Sequence, residues 1–208
     1  MTDPLIIAAT GLSTATVHEA AGRTGALPSA IKPLSAETWL CGRAFPVRSP
    51  AGDNLAIHHG LYAARAGDVL VIDCGDAEYG YWGEVMACAA QSVGIAGLVI
   101  SGGVRDTRQM VAMGFAVFAG NVCVRGTGKD PAGEGTIGTP VTIGDVLVSA
   151  GDLVIGDADG VAVIEASKAD AVIREARARD RDELELLARL RNGATTLELF
   201  GLPDLGAR

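Results

Sequence analysis

Gly83-Glu84-Val85-Met86 and, after an apolar run, Gly102-Gly103-Val104-Arg105-Asp106 decide the fold of this chain. The first stretch puts an acid at the start of an Ala-rich helix over residues 84–93, and the second puts an Arg-Asp pair directly after a buried strand, Ala96-Gly97-Leu98-Val99-Ile100. In an α/β protein, such strand-to-helix loops are where an anionic ligand and a hard metal ion collect. Working outward, the apolar run Val69-Leu70-Val71-Ile72 reads as a strand upstream, and a short helix ending near Gly114 followed by a strand over residues 115–119 reads downstream. This is repeated β-α-β, so the expected fold class is α/β.

Nearer the N-terminus, Ser13 or Thr14 caps a short helix over 13–22 that Gly25-Ala26-Leu27-Pro28 closes; a strand follows over 41–48, then a helix opened by Gly52-Asp53 and running through Arg65. After Val122-Cys123-Val124, residues 126–138 are Gly-rich and lead into short β-like pieces. Gly67-Asp68, Gly144-Asp145 and Gly151-Asp152 each precede Val/Leu/Ile runs, as tight turns do when they feed buried strands. The last strand is read over 160–164. Ser167 is expected to cap a long charged helix to about Arg191, with a tail segment over 193–202. Ala171, Leu184, Leu187 and Leu190 stand among dense charges on that helix, which suggests a face that another chain covers.

With 208 residues and 49% hydrophobic content, the chain can bury a core as one domain. Seventeen basic residues against twenty-five acidic ones, a net charge of -8, argue against a general nucleic-acid binder. No apolar run approaches the roughly 20 residues needed to span a bilayer, and the start Met1-Thr2-Asp3-Pro4 lacks the basic character of a secretory signal, so no membrane partner and a cytoplasmic location are expected. Cys41, Cys74, Cys88 and Cys123 form no C-x-x-C pair and read as reduced core residues. His18, His58 and His59 are too few for a histidine cage, which leaves carboxylates to carry any metal.

Three motifs fail on context. The G-x-G-x-x-G match at 133–138 precedes a β-like segment instead of opening a helix. Gly126-Thr127-Gly128-Lys129 resembles part of a phosphate loop, but Asp130 stands at the Ser/Thr position and the first Gly is missing. Asp157-Ala158-Asp159-Gly160 begins like a calcium loop, yet Glu165 falls at the wrong position to close it, and a tight turn is the better reading. Glu84 alone could be a helix-N-terminal acid favoured by the macrodipole, and Arg105-Asp106 alone a loop salt bridge or an N-cap. Their combination on one expected edge of a parallel sheet, beside glycines, raises the functional reading. Lys129 adds a second cation in a Gly-rich loop, where an ordinary solvated lysine is the alternative.

Several segments together carry a resemblance: residues 14–20, 25–33, 50–55, 78–84 and 102–106, then Arg125-Gly126-Thr127-Gly128-Lys129-Asp130-Pro131 and Gly156-Asp157-Ala158-Asp159-Gly160-Val161. The chain resembles the 4-carboxy-4-hydroxy-2-oxoadipate / 4-hydroxy-4-methyl-2-oxoglutarate aldolases, class II pyruvate aldolases of the RraA-like superfamily, which also holds the regulator of ribonuclease E activity. The resemblance covers nearly the whole chain. It implies a swivelling β/β/α-type single domain over 1–166 with a C-terminal helical extension over 167–208 that packs on a neighbouring subunit of a homo-oligomer, a trimer or a hexamer. The family pattern of an acid, twenty intervening residues and Arg-Asp is met by Glu84 and Arg105-Asp106. Glu84 stands where many members have Asp, one methylene longer.

Carried over by position, the resemblance implies that Asp106 ligates Mg²⁺ or Mn²⁺ and that Arg105 contacts the pyruvyl oxygens. It also implies that backbone N–H groups around Gly83, Glu84, Val85 and Met86 bind the substrate carboxylate, that Lys129 lies near the substrate, and that Glu183 of a neighbouring subunit approaches the metal waters. The implied reaction is retro-aldol cleavage of a 4-hydroxy-2-oxo acid to pyruvate, accompanied by oxaloacetate decarboxylation, with Glu84 acting as base through a metal-bound water. A Schiff-base route needs a lysine of depressed pKa in an apolar pocket, and neither Lys32, Lys129 nor Lys168 has such surroundings in sequence. The competing class is a non-enzymatic regulator of ribonuclease E that acts by protein-protein binding.

Overall fold

The computed structural model describes residues 3–75, 77–203 and 205–206, so the Met1-Thr2 start and the last residues of the C-terminal extension lie outside the described residues. Helices α1 (Pro4–Ala9) and α2 (Thr14–Ala20) come first, then strands β1 (Lys32–Pro33) and β2 (Leu40–Arg48) and helix α3 (Leu55–Ala63). The central part runs β3 (Asp68–Asp73), β4 (Gly80–Trp82), α4 (Glu84–Ser92), β5 (Gly97–Val104), α5 (Thr107–Ala112) and β6 (Ala116–Val122). Short strands β7 (Thr136–Ile137), β8 (Val141–Ile143) and β9 (Val146–Val148) precede the hairpin β10 (Leu153–Asp157) and β11 (Gly160–Ile164), and α6 (Ala169–Arg191) and α7 (Thr196–Phe200) end the chain.

The main sheet has the order β1-β6-β5-β3-β2-β10-β11. Strands β2, β3, β5 and β6 pair in parallel, and β10 lies antiparallel to both β2 and β11. One stretch of chain reaches both outer strands. Leu27 N–H donates to Val161 O at 2.9 Å, Val163 N–H donates to Gly25 O at 2.8 Å, and a few residues later Lys32 and Pro33 pair with Ala119 and Phe118 of β6. The sheet is thereby nearly closed into a barrel. At this seam a Cβ on Gly25 would lie 2.1 Å from Val163 O, and Gly25 has φ +81°, so both space and backbone conformation require glycine there.

The closure explains why the parallel strands read as continuous apolar runs: both faces are covered. Val69 and Val71 join Val99, Phe118, Val154 and Val163 in the interior, whereas Leu70 and Ile72 point outward and meet Ile57 and Leu61 of α3 and Ala87 and Ala90 of α4. A third cluster sets Leu5, Ala9 and Val17 of the N-terminal helices against Ile155, Ile164, Ile173 and Ala176.

The α/β reading and most elements hold, with local corrections. Helix α1 was not anticipated; Pro4 sits at its start, and the Asp3 carboxylate accepts the Leu5 N–H at 2.9 Å. Strand β5 does not stop at Ile100 but continues through Ser101-Gly102-Gly103 to Val104, with an irregularity where it meets β6. Helix α3 begins only at Leu55, behind Asn54, and ends at Ala63. Ser167 does not cap α6: its hydroxyl bonds the Glu165 carboxylate, and the helix starts at Ala169 behind Lys168. The face of α6 that its own chain buries is Ala169, Val172, Ile173 and Ala176, while Ala171 is exposed. In the second half of the helix Leu184 is 63% exposed and Leu187 44%.

Only two of the four free cysteines are core residues. Cys41 and Cys74 are buried, whereas Cys88 is exposed and Cys123 half-buried. Burial pushes the Cys41 thiol up to about 12 and the Cys74 thiol up as well, so both stay protonated. Asp157 and Gly160 pair across the β10–β11 turn, as a tight turn requires. No helix among the described residues is long and apolar enough to cross a membrane.

Candidate active site

Strand β4 runs parallel to β5 with Trp82 opposite Val104, and the Arg105 N–H donates to Trp82 O at 2.9 Å. Both strands end at the same level, so the Gly83–Glu84 start of α4 lies directly beside Arg105-Asp106. Contact is close enough that a Cβ on Gly83 would lie 2.4 Å from Asp106 Oδ2 and 3.2 Å from Arg105 Cγ.

Asp106 occupies the N-cap position of α5 with φ 55°, in the left-handed region that few non-glycine residues enter. It does not cap its own helix. Its Oδ2 accepts the Glu84 N–H of α4 at 3.2 Å and lies 3.9 Å from Arg105 Nε, so the carboxylate serves the neighbouring helix. Helix geometry leaves the N–H groups of Val85 and Met86 without a carbonyl behind them, and the positive end of the α4 dipole adds to their attraction for an anion. Val85 is 81% exposed although apolar.

A cavity of about 260 Å³ opens here. Gly83, Val85, Met86, Arg105, Asp106 and Lys129 all line it, so elements far apart in sequence bring these expected residues together. Two do not join them. The Glu84 side chain is exposed and does not line the cavity; only its backbone N–H enters the arrangement, and that is taken by Asp106. Glu183 lies in the exposed second half of α6 and is not part of the lining in its own chain.

Four side chains that sequence reasoning had not placed in a site also line the cavity: Asn54, His58, Tyr81 and Thr127. Asn54 is only 5% exposed; its Nδ2 donates to Tyr81 O at 3.0 Å and approaches Met86 Sδ at 3.7 Å, and its Oδ1 has no partner among the described residues. The Tyr81 hydroxyl accepts the Gly52 N–H at 3.0 Å, and burial holds its pKa above the ordinary value. A signal existed for His58, which stands four residues after Asn54 and so shares its helix face.

Burial, and next the positive charge of Lys129, hold the His58 imidazole below its ordinary pKa of 6.5. The folded protein therefore resists protonating this ring. As pH falls through 6.5 the unfolded chain binds the proton first, and the stability present above that value is lost on the acid side. Replacing Lys129 with Met is expected to raise the His58 midpoint, but not fully to 6.5, since burial remains; titration of the ring proton by NMR measures it. An unchanged midpoint would separate Lys129 from this ring.

The remaining lysines are held elsewhere. Lys168 pairs with Glu165 at 2.6 Å, which raises its pKa, and Lys32 Nζ donates to Asp159 O. Neither meets the needs of an imine-forming amine. Gly133 and Gly135 lead into β7 and not into a helix, and Gly138 follows that strand.

A family model described as RraA-like, Aldolase/RraA, matches residues 14–163. A Halalkalibacterium halodurans protein named "Putative 4-hydroxy-4-methyl-2-oxoglutarate aldolase" is 37% identical over 158 residues, 76% of this chain and 74% of the relative. Among solved structures, Streptomyces coelicolor RraAS2, described as an unusual member of the RNase ES inhibitor RraA protein family, superposes with a TM-score of 0.74 at 27% identity, covering 92% of this chain and all of the other. The RNA-processing inhibitor RraA from Thermus thermophilis superposes with a TM-score of 0.65 at 25% identity, covering 73% of this chain and 92% of the other.

Proposed function

From the chain's membership of the RraA-like family, which holds both aldolases and inhibitors of RNA processing, we propose that this protein is a divalent-metal-dependent pyruvate aldolase. Its substrates would be 4-carboxy-4-hydroxy-2-oxoadipate, cleaved to pyruvate and oxaloacetate, and 4-hydroxy-4-methyl-2-oxoglutarate, cleaved to two pyruvates. One observation carries the reading: Arg105, Asp106, Lys129 and the N-terminus of α4 converge on one cavity.

The donor set fits a hard cation of the Mg²⁺ or Mn²⁺ type. No group of three or more His, Cys, Asp or Glu among the described residues forms a protein cage, but Asp106 offers one partly exposed carboxylate with Oδ2 already steadied by Glu84 N–H. Mg²⁺ keeps most of its waters and is commonly held by one or two carboxylates plus substrate oxygens. When bound, the cation supplies Lewis-acid polarisation of the 2-oxo group.

The chain's own residues do the rest. The N–H groups of Val85 and Met86 hold the C1 carboxylate, and Arg105 faces the oxygen on which charge grows, an interaction stronger in the transition state than in the ground state. The C4 hydroxyl loses its proton, its electrons form the new carbonyl, the C3–C4 bond breaks, and the bonding pair becomes the pyruvate enolate. Glu84, whose exposed side chain lies outside the cavity lining, would reach the C4 hydroxyl proton through a bridging water, and a proton is delivered to C3 of the enolate. Lys129 favours the second, anionic end of the substrate. Loss of CO₂ from oxaloacetate produces the same enolate, so decarboxylation is expected alongside cleavage. Exposed Leu184 and Leu187 on α6 support a homo-oligomer in which Glu183 of another copy nears the site.

A second reading, a regulator that binds a ribonuclease, is favoured by the likeness to the two inhibitor structures. Coupled pyruvate release with and without EDTA separates the two. Release from a 4-hydroxy-2-oxo acid is expected with Mg²⁺ or Mn²⁺ and is expected to stop on chelation. Release that ignores EDTA removes the metal route, and no release from either substrate favours the regulator.

A further inference from the structure

Between β2 and α3 the chain makes a turn at residues 52–54 that touches both sides of the cavity. On one side, Gly52 N–H and Asn54 Nδ2 bond to Tyr81, and Asn54 also meets Met86 of α4. On the other, Asn54 N–H donates to Gly128 O at 3.2 Å and Gly128 N–H donates to Gly52 O at 2.7 Å, which attaches the 126–130 loop. Between them sits Asp53, only 8% exposed. Its Oδ1 accepts the Leu55 N–H at 2.8 Å, within the turn, and its Oδ2 accepts the Asp130 N–H at 2.5 Å, seventy-seven residues away.

We infer that Asp53 is a positioning residue whose carboxylate fixes the 126–130 loop, and with it Lys129, against the cavity. A buried carboxylate is costly unless both oxygens are well bonded, and these two bonds join an α3-side N–H to a loop-side N–H. The loop needs such a clamp. Gly126 and Gly128 give it little conformational preference of its own, and a Cβ on Gly128 would meet nothing closer than Gly52 O at 3.7 Å. Lys129 lies directly next to the clamped residue, Asp130, and shares the cavity lining with His58 on α3. Loosening the clamp therefore lets the ammonium drift from both His58 and the ligand.

The catalytic part of this inference rests on the aldolase reading, and the positional part does not. The test uses Asp53→Asn and Asp53→Ser in the full chain, each also combined with Lys129→Met. Asn replaces one of the two accepting oxygens with an NH2 group, which faces an N–H donor instead of accepting from it. Ser keeps a side-chain oxygen for the Leu55 N–H, as serine turns do, but is too short to reach Asp130.

By NMR, both variants are expected to raise the His58 midpoint toward the value of the Lys129→Met protein and to leave it unmoved in the Lys129→Met background. Direct loss of a nearby negative charge would act the other way, so the sign itself discriminates. Pyruvate release is expected to fall roughly ten- to hundredfold in kcat/KM with Lys129 present and little further without it, the signature of coupled residues in a double-mutant cycle. Full recovery by Ser, or equal effects in both backgrounds, overturns the inference and leaves Asp53 a helix-start residue. If no variant, parent included, releases pyruvate, the aldolase reading fails while the His58 shifts still decide the clamp.

Discussion

Asp106→Asn is expected to stay folded and to lose metal-dependent pyruvate release by about a thousandfold, since a Lewis-acid contribution is worth several kcal/mol and each 1.36 kcal/mol is tenfold in rate. Two structural demands at this position are met by asparagine. It tolerates the left-handed conformation, φ 55°, and its amide oxygen still accepts the Glu84 N–H at the start of α4. Only the charge is gone. The Tm is therefore expected within about 4 °C of the parent, the shift that about 1 kcal/mol gives in a chain of this size. Alanine is the poorer probe, because it would add about 1–2 kcal/mol of left-handed strain and remove the bond to α4 as well. Retained Mn²⁺ binding by EPR together with full activity in the asparagine variant would falsify Asp106 as the ligand.

Gly83→Ala is the second large effect, and its cause is space, not backbone conformation. Gly83 has φ −154°, which any residue adopts, but a Cβ there would press to 2.4 Å from Asp106 Oδ2 and 3.2 Å from Arg105 Cγ. The carboxylate cannot simply swing aside, since its backbone is held in an unusual conformation and its Oδ2 is bonded to α4. Either the acid or the helix must move by a good part of an ångström. A displacement of about 1 Å near the reacting groups can cost about a hundredfold in rate. We expect kcat/KM to fall by about that much with a nearly unchanged far-UV CD spectrum, whereas unchanged kinetics would mean that the Asp106 position does not matter to catalysis.

How far the sequence revealed this arrangement depends on where each signal came from. Val69 to Ile72 announces itself because neither face of β3 meets water, so no polar alternation interrupts it. The end of β5 was hidden because Ser101-Gly102-Gly103 has poor strand preference; there the backbone accepts glycine since a Cβ on Gly103 would meet Asn121 Oδ1 at 2.3 Å and Tyr79 O at 2.6 Å. Helix α1 is short, and the five apolar residues after its Asp3-Pro4 start, Leu5 to Ala9, carry no periodicity that separates helix from strand. Arg105 and Asp106 were legible from their place after a strand. Asn54 and His58 were not, because their part depends on sheet order: β2 lies next to β3, and β3 next to β5, which brings α3 alongside α4. Nor could the pattern say that Glu84 contributes its amide to this corner while its exposed side chain stays outside the cavity lining.

The seam at Gly25 also bears on how the molecule is made. Gly25 and Leu27 bond to strand β11, which is synthesised long after them, while the parallel strands that carry Arg105 and Asp106 arise in between. A chain growing from its N-terminus therefore holds its reactive corner on a partial sheet until the final hairpin emerges. Ring completion is a distant-contact event with a large loop-closure entropy, which slows folding of the whole unit and ties the two ends of the polypeptide into one cooperative transition.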